Sequence, residues 1–325
     1  MFDVVSVGEL LIDFVEASHA GRSVLFEQYP GGAPANVAVT LARLGRRSAF
    51  VGKVGSDQFG DFLRRELKEN HVDVTGLVTA KEFNTTLAFV HLDGAGERSF
   101  TIYRKPGADM MLTSEDIDYD IVRQSTLFHF GGVSLTRDPA RSTILKLDQF
   151  SRAHHKMVSF DPNLRLSLWK SEEEAREVIH RGACHANLIK ISSEELFFMT
   201  GTHEVYEGSR ILNERYHARL ILVTLGQDGC FYRTAHDTTG IIPSFEVKAM
   251  DTTGAGDAFL GGFLASLLDK NPTVGPDFDV SSVSTLESMI RRANAVGALT
   301  TKAKGSMSAI PFPDVVRTFM GRDDA

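Results

Sequence analysis

The chain has 325 residues, 42% of them hydrophobic and 24% charged, the balance of a folded globular protein rather than a disordered or fibrous one. Its 35 Lys and Arg against 42 Asp and Glu leave a net charge of −7, with no Lys/Arg-rich block, so the charge pattern does not point to nucleic acid as a partner. No run of about eighteen apolar residues predicts a membrane span, Cys184 and Cys230 are too few for a disulfide framework, and Met1-Phe2-Asp3 opens no basic, apolar leader; the expected location is the cytoplasm.

In chain order, short apolar, β-branched runs at Val4–Val7, Ala49–Val51, Leu127–Phe130, Val158–Phe160, Leu188–Ile191 and Leu220–Leu225 predict strands. Between them, helical periodicity predicts helices over Val37–Leu44, Phe59–Lys68, Ala140–Ala153, Glu172–Arg181 and Glu207–Arg215. Strands apolar on both faces need helices covering both sides. The alternation therefore predicts an α/β fold, a three-layer α/β/α sandwich around a mostly parallel sheet, with its ligand site at the carboxyl ends of the strands.

Two segments break this rhythm. Ser23–Tyr29 and Thr85–Tyr103 read with period two, the second around a turn at Asp93-Gly94-Ala95-Gly96. They predict a small β-sheet lid of discontiguous strands, about 15–30 and 84–106, on a single domain spanning 1–325; an edge extension of the main sheet is the alternative. Lys270–Asp279 reads as a surface loop before a helix over Val283–Thr300.

The most informative stretch is Asp251-Thr252-Thr253-Gly254-Ala255-Gly256-Asp257-Ala258-Phe259. Small residues at Gly254, Ala255 and Gly256 let backbone N–H groups converge at a helix N-terminus, an arrangement that holds an anion. A carboxylate at Asp257 does not ligate a phosphoryl group; beside one, it suits accepting a proton from an attacking hydroxyl. The pairing suggests phosphoryl transfer. The same residues also suit a plain helix start capped by Thr252 or Thr253. The glycine spacing lacks the third glycine of a dinucleotide fingerprint, and no Gly-Lys-Ser/Thr completes a P-loop.

A second cluster is Gly31-Gly32-Ala33-Pro34-Ala35-Asn36-Val37-Ala38. Gly31 and Gly32 let a ligand approach the backbone, and Asn36 offers a donor and an acceptor to a polyol hydroxyl; a turn with an N-cap is the plainer alternative. The eleven histidines show no metal-ligand spacing, and Phe197-Phe198-Met199 reads as helix core.

Together the two clusters resemble the signature segments of the ribokinase-like carbohydrate kinase family, and the likeness extends over nearly the whole chain. It includes Gly8-Glu9-Leu10-Leu11-Ile12-Asp13, Ile189-Lys190-Ile191-Ser192-Ser193-Glu194-Glu195-Leu196 and Leu222-Val223-Thr224-Leu225-Gly226-Gln227-Asp228-Gly229. Arg104-Lys105-Pro106-Gly107-Ala108-Asp109 and Asp161-Pro162-Asn163-Leu164-Arg165-Leu166-Ser167-Leu168-Trp169 look like the fructokinase branch, and so do the two segments starting at Ile189 and Leu222 and the final Ala293-Asn294-Ala295.

The resemblance implies that Asp257 takes the proton of the acceptor hydroxyl while the amides of Gly254, Ala255 and Gly256 hold the transferring phosphoryl group. It implies a sugar site of Asp13, Gly31, Gly32 and Asn36, with Arg104 reaching in from the lid and Arg165 at the sugar–phosphate junction. For ATP it implies Thr224, Gly226 and Gly229 around phosphate and ribose, Lys190 toward the phosphates and Asn294 beside the adenine. Where the family often carries Asn-x-x-Glu for Mg2+, this chain keeps Glu195, an indirect partner of the ion, and has Ser192 in place of Asn. Asp251 and Thr253 match positions near the family's monovalent-cation site, where K+ is the expected ion.

The expected activity is an ATP-dependent sugar kinase converting fructose to fructose 6-phosphate. Its rivals are a 2-keto-3-deoxygluconate kinase, in which Arg165 or Arg104 pairs with the substrate carboxylate, and a non-catalytic sugar- or nucleotide-binding regulator on the same fold. The expected partners are the sugar and ATP, with a homodimer paired through exposed lid-strand edges.

Overall fold

The computed structural model describes residues 1–20, 23–92, 98–280 and 282–323. The chain opens with β1 (Phe2–Val7), β2 (Leu11–Ala20), β3 (Ser23–Gly31), α1 (Ala33–Arg43), β4 (Ser48–Gly55), α2 (Gln58–Glu69), β5 (Leu77–Ala80), β6 (Leu87–Leu92) and β7 (Arg98–Tyr103). Its middle holds α3 (Tyr119–Arg123), β8 (Ser125–Gly131), α4 (Ala140–Ala153), β9 (Met157–Asp161), α5 (Glu172–Ala183), β10 (Leu188–Ser192), α6 (Ser193–Thr200) and α7 (Val205–Tyr216). It closes with β11 (Leu220–Thr224), β12 (Cys230–Thr234), β13 (Thr239–Ile242), α8 (Ala255–Lys270), α9 (Val283–Thr300) and α10 (Pro313–Asp323).

The main sheet has nine strands in the order β13-β12-β11-β10-β9-β8-β1-β4-β5. Every pairing from β5 to β11 is parallel, and β12 and β13 finish one edge antiparallel. Successive side chains on a strand face opposite ways, so each central strand feeds two cores. Leu127, Leu188 and Leu220 pack in one core with Leu41 of α1, Phe263 of α8 and Ile290 of α9. Their neighbours Phe128, Ile189 and Ile221 pack in the other with Ile144 of α4, Val178 of α5 and Leu212 of α7. This is the three-layer α/β/α sandwich that the two-sided apolar runs predict. Among the described residues no helix is long and apolar enough to cross a membrane.

A second sheet has the order β3-β2-β6-β7 and is separate from the main one. Phe14 on β2 stacks on Phe89 of β6, with ring centroids 4.9 Å apart, and meets the ring of Phe59 on α2 edge-on at 5.7 Å, which seats this sheet beside the main body. Strand β2 begins at Leu11, ahead of the lid boundary expected near residue 15, so Asp13 lies on the small sheet, opposite Tyr29. The turn expected at 93–96 lies outside the described residues.

The expectation for Phe197-Phe198-Met199 needs correction. Helix α6 buries Leu196 and Met199, whereas Phe197 is 43% exposed and stacks on His203. One residue on from Leu196 is a turn of about 100° around the helix, off the buried face.

What positions the site is the alignment of strand ends. Asp161, Ser192 and Thr224 are the last residues of β9, β10 and β11, and Ser192 pairs in register with Thr224. They face the N-terminus of α8 across the carboxyl edge of the sheet, where open α/β sheets present their crevice.

Candidate active site

Helix α8 starts at a glycine, not at a threonine cap. Gly254 is its N-cap with φ 77°, and no side chain caps it. A side chain there is doubly excluded, since a Cβ would also stand 2.5 Å from Cβ of Ser306. The first turn of α8 therefore has no side-chain cap, the kind of helix start that suits an anion, although the Ala255 amide reaches the Thr252 carbonyl at 3.3 Å.

Asp257 sits in the first turn of α8 and is buried. Its Oδ2 accepts from Nδ2 of Asn36, in the first turns of α1, at 2.8 Å, and its Oδ1 accepts from Nδ2 of Asn163 at 3.4 Å. Burial pushes the Asp257 carboxyl up to about 7; Asp161 adds to the rise, while the Asn36 bond, Lys190 and Arg165 oppose it.

Lys190 Nζ bonds Asp161 Oδ2 at 3.0 Å, and both groups are buried. Burial alone would lower the ammonium pKa, but Asp161, Glu195 and Asp257 outweigh it and raise it, so Lys190 stays charged. A Cβ on Gly256 would lie 2.9 Å from Nζ, which places this cation directly against the start of α8. Glu195 accepts from the amides of Leu164 and Ser192, at 2.6 and 2.8 Å, and the Ser192 hydroxyl accepts from the Glu195 amide at 3.2 Å. This capping box begins α6 at the end of β10 and gives Ser192 a helix-capping part.

Asp13 and Gly32 line the same crevice from the other side. Burial raises the Asp13 carboxyl to about 7, with Asp251 adding and Arg165 opposing. Gly31 lies behind it: a Cβ there would stand 2.2 Å from Oδ2 of Asp13, so the glycine makes room for the carboxylate. Gly32 has φ 119° and lies so close to the Glu9 carbonyl that a Cβ would reach within 2.4 Å of it.

Two cavities meet at this point. The first, of about 660 Å³, is lined by Asp13, Asn36, Arg165, Lys190, Gly254 and Asp257 among others. The second, of about 800 Å³, is lined by Gly226, Gly229, Phe245, Ala255, Phe259 and Asn294 among others. Thr224, Gly226, Thr252 and Gly256 border both. Asn294 donates to the carbonyls of Ile242 and Pro243, both at 3.0 Å, and so ties α9 to the end of β13 in the wall of the second cavity.

Three expected site residues stand apart from the cavity walls. Arg104, expected to reach in from the lid, has a buried guanidinium 2.6 Å from Asp109 and 2.9 Å from the Thr136 hydroxyl. The Asp five residues on in its own segment captures it. Gly31 acts through Asp13, as described. Asp251 is buried and accepts from the amides of Thr253 and Gly305, at 2.9 and 3.1 Å, pinning the loop before α8 to the segment after α9.

Sequence reasoning assigned no role to Asp161, Asn163 or Ser306. The first two lie in a segment already singled out, and their signal is a carboxylate closing a strand and an amide two residues beyond it. Ser306 carries no such signal, because only the fold brings it to Gly254 and Asn36.

A model of the family described as pfkB family carbohydrate kinase matches residues 1–313. The chain belongs to that family. Fructokinase-1 of Zea mays is 43% identical over 312 residues, covering 95% of this chain and 94% of the relative. Among solved structures, fructokinase of Xylella fastidiosa with bound ATP aligns with a TM-score of 0.90 at 33% identity, covering 99% of each chain. A double mutant of Vibrio cholerae fructokinase, solved with fructose, ADP and a potassium ion, aligns with a TM-score of 0.86 at 36% identity over 98% of each chain. As a pfkB carbohydrate kinase, the chain has the ribokinase-like fold that its signature segments imply, and its two adjoining cavities match the needs of a two-substrate enzyme.

Proposed function

We propose that this carbohydrate kinase is a fructokinase, transferring the γ-phosphoryl group of ATP to the 6-hydroxyl of fructose. The sugar occupies the cavity bounded by Asp13, Gly32 and Asn36, with Asp13 accepting hydroxyl hydrogen bonds and Arg165 at the mouth. ATP occupies the cavity bounded by Gly226, Gly229 and Asn294, with its phosphates directed to the junction. There the Asp257 carboxylate takes the proton as the hydroxyl oxygen attacks phosphorus, and ADP leaves. The amides of Gly254, Ala255 and Gly256, with Lys190, stabilise the charge on the transferring group.

The observation that carries this reading is the place of Asp257: a buried carboxyl pushed up to about 7, in the wall of the first cavity and next in sequence to Gly256, which borders both. That value keeps a general base both available and effective near neutrality. The ligands bound in the two bacterial fructokinase structures, ATP in one and fructose with ADP in the other, support the same pairing of substrates.

Mg2+ neutralises ATP charge when bound, and few direct protein ligands suffice because the ion keeps several waters. Glu195, both of whose oxygens already accept from amides, fits an indirect contact through water. Asp251 and Thr253 fit a monovalent cation beside the α8 loop, in line with the potassium ion of the Vibrio cholerae structure. A second copy is proposed to cover the small sheet, where Val24, Leu25 and Tyr103 are exposed; light scattering at micromolar concentration should give twice the 35.7 kDa chain mass, and a monomeric mass rejects the dimer.

The test is a coupled ADP-release assay across fructose, 2-keto-3-deoxygluconate, ribose and glucose. Fructose should give the highest kcat/KM. A higher value for the keto-acid assigns the site to that substrate, and absence of turnover on any sugar indicates a binding protein.

A further inference from the structure

The side chain of Asn294 is held in a single orientation. Its Nδ2 donates to the carbonyls of Ile242 and Pro243, both at 3.0 Å. A carbonyl only accepts, so both bonds come from the NH2 group and use its two protons; the reversed amide would set its oxygen against two others. Among the described residues Oδ1 accepts no hydrogen bond, and it is not one of the fully enclosed side-chain atoms left without a partner. Asn294 is buried and lines the second cavity, so this oxygen opens on that cavity as an acceptor without a donor.

Its place in the cavity suits a flat, apolar-faced base. Asn294, Gly297 and Ala298 share one face of α9 and all line this cavity, with Phe245, Val247 and Phe259 as apolar walls. A Cβ on Gly297 would lie 3.2 Å from the Ala255 carbonyl, at the start of α8. Asn294 stands three residues back along the helix, about 4.5 Å further from the end that the phosphates take.

We propose that Asn294 Oδ1 selects the nucleobase by accepting a hydrogen bond from the exocyclic 6-amino group of adenine. The inference rests on the reading of the second cavity as the ATP site. Adenine joined to ribose carries no other N–H, so its amino group is the one base donor this oxygen can take. A 6-oxo purine brings a carbonyl to the same place and leaves two acceptors facing each other. A site built to bond an N–H group rejects the analogue that lacks it, because its own buried polar atom is then left unpaired. The ribose hydroxyls are the nucleotide's other donors, and the test separates them from the base.

The test measures Kd by calorimetry, with no sugar present, on wild type and Asn294→Ala. The ligands are ATP, purine riboside triphosphate with hydrogen at position 6, inosine triphosphate with oxygen there, and 2′-deoxy-ATP. Wild type should bind the two base analogues about tenfold or more weaker than ATP, and 2′-deoxy-ATP within about threefold of it. In Asn294→Ala, ATP and purine riboside triphosphate should bind alike, whatever affinity is lost with the tie to β13. Asn294→Ser, too short to reach the amino group, carries the same prediction if the alanine variant does not fold. Equal wild-type binding of ATP and purine riboside triphosphate, discrimination that survives both substitutions, or a loss confined to 2′-deoxy-ATP overturns the proposal. Because Kd is read without turnover, the result holds whichever sugar is the substrate; a wild type that binds no ATP rejects the second cavity as the nucleotide site, whereas equal binding rejects the base contact alone.

Discussion

Asn36 Nδ2 donates to Asp257 Oδ2 at 2.8 Å across 221 positions of sequence, tying the start of α1 to the start of α8 where the two cavities meet. The bond joins the two glycine-rich segments of the chain in one site. It also gives a buried carboxylate a donor, without which its charged form would be costlier still.

The raised pKa of Asp257 has opposite consequences for rate and for stability. A general base works deprotonated, so kcat should rise with pH through about 7 and fall about tenfold per unit below it. Between its ordinary value of 3.8 and about 7, the folded state binds this proton more tightly than the unfolded state does. Stability from this group is therefore present below that window and lost as pH rises through it. Thermal scans should find Asp257→Asn more stable than wild type at pH 8, by about 1–3 kcal/mol, with the advantage gone at pH 4. Equal stability at both pH values contradicts the raised pKa.

Gly31→Ala tests how Asp13 is placed. The new Cβ would stand 2.2 Å from Oδ2 of Asp13, so the carboxylate must swing away from the crevice. Steady-state kinetics should show the KM for fructose raised about tenfold or more, equivalent to about 1.4 kcal/mol, with the KM for ATP unchanged. An unchanged fructose KM means that Asp13 does not hold the sugar.

Arg104→Met separates the two parts considered for this arginine. Its buried pairing with Asp109 predicts a loss of about 3–5 kcal/mol in urea unfolding, since the substitution strands the Asp109 charge. A stable variant with a raised sugar KM would instead return Arg104 to the sugar pocket.

Much of the fold is legible in the sequence because burial is two-sided. Leu127-Phe128 and Leu220-Ile221 supply one apolar side chain to each core, and such runs have few alternatives to a covered parallel sheet. The antiparallel edge of β12 and β13 is less legible, since a strand such as Cys230–Thr234 buries the charged Arg233, whose guanidinium is held by Ser209 and Tyr206 of α7 as well as by Asp237. In the site, Gly254, Gly256 and Asp257 declare themselves because loop, helix start and carboxylate lie within four consecutive residues. Ser306 and the capture of Arg104 by Asp109 do not, because hydrogen-bond geometry in the folded state decides both.

The central claim is that Asp257 deprotonates the attacking hydroxyl, and the turnover number of Asp257→Asn with fructose and ATP measures it most directly. Loss of the base should lower kcat by about 10²–10⁴, with the KM for each substrate changed little. A kcat within about threefold of wild type contradicts the account, because the proton would then leave by another route.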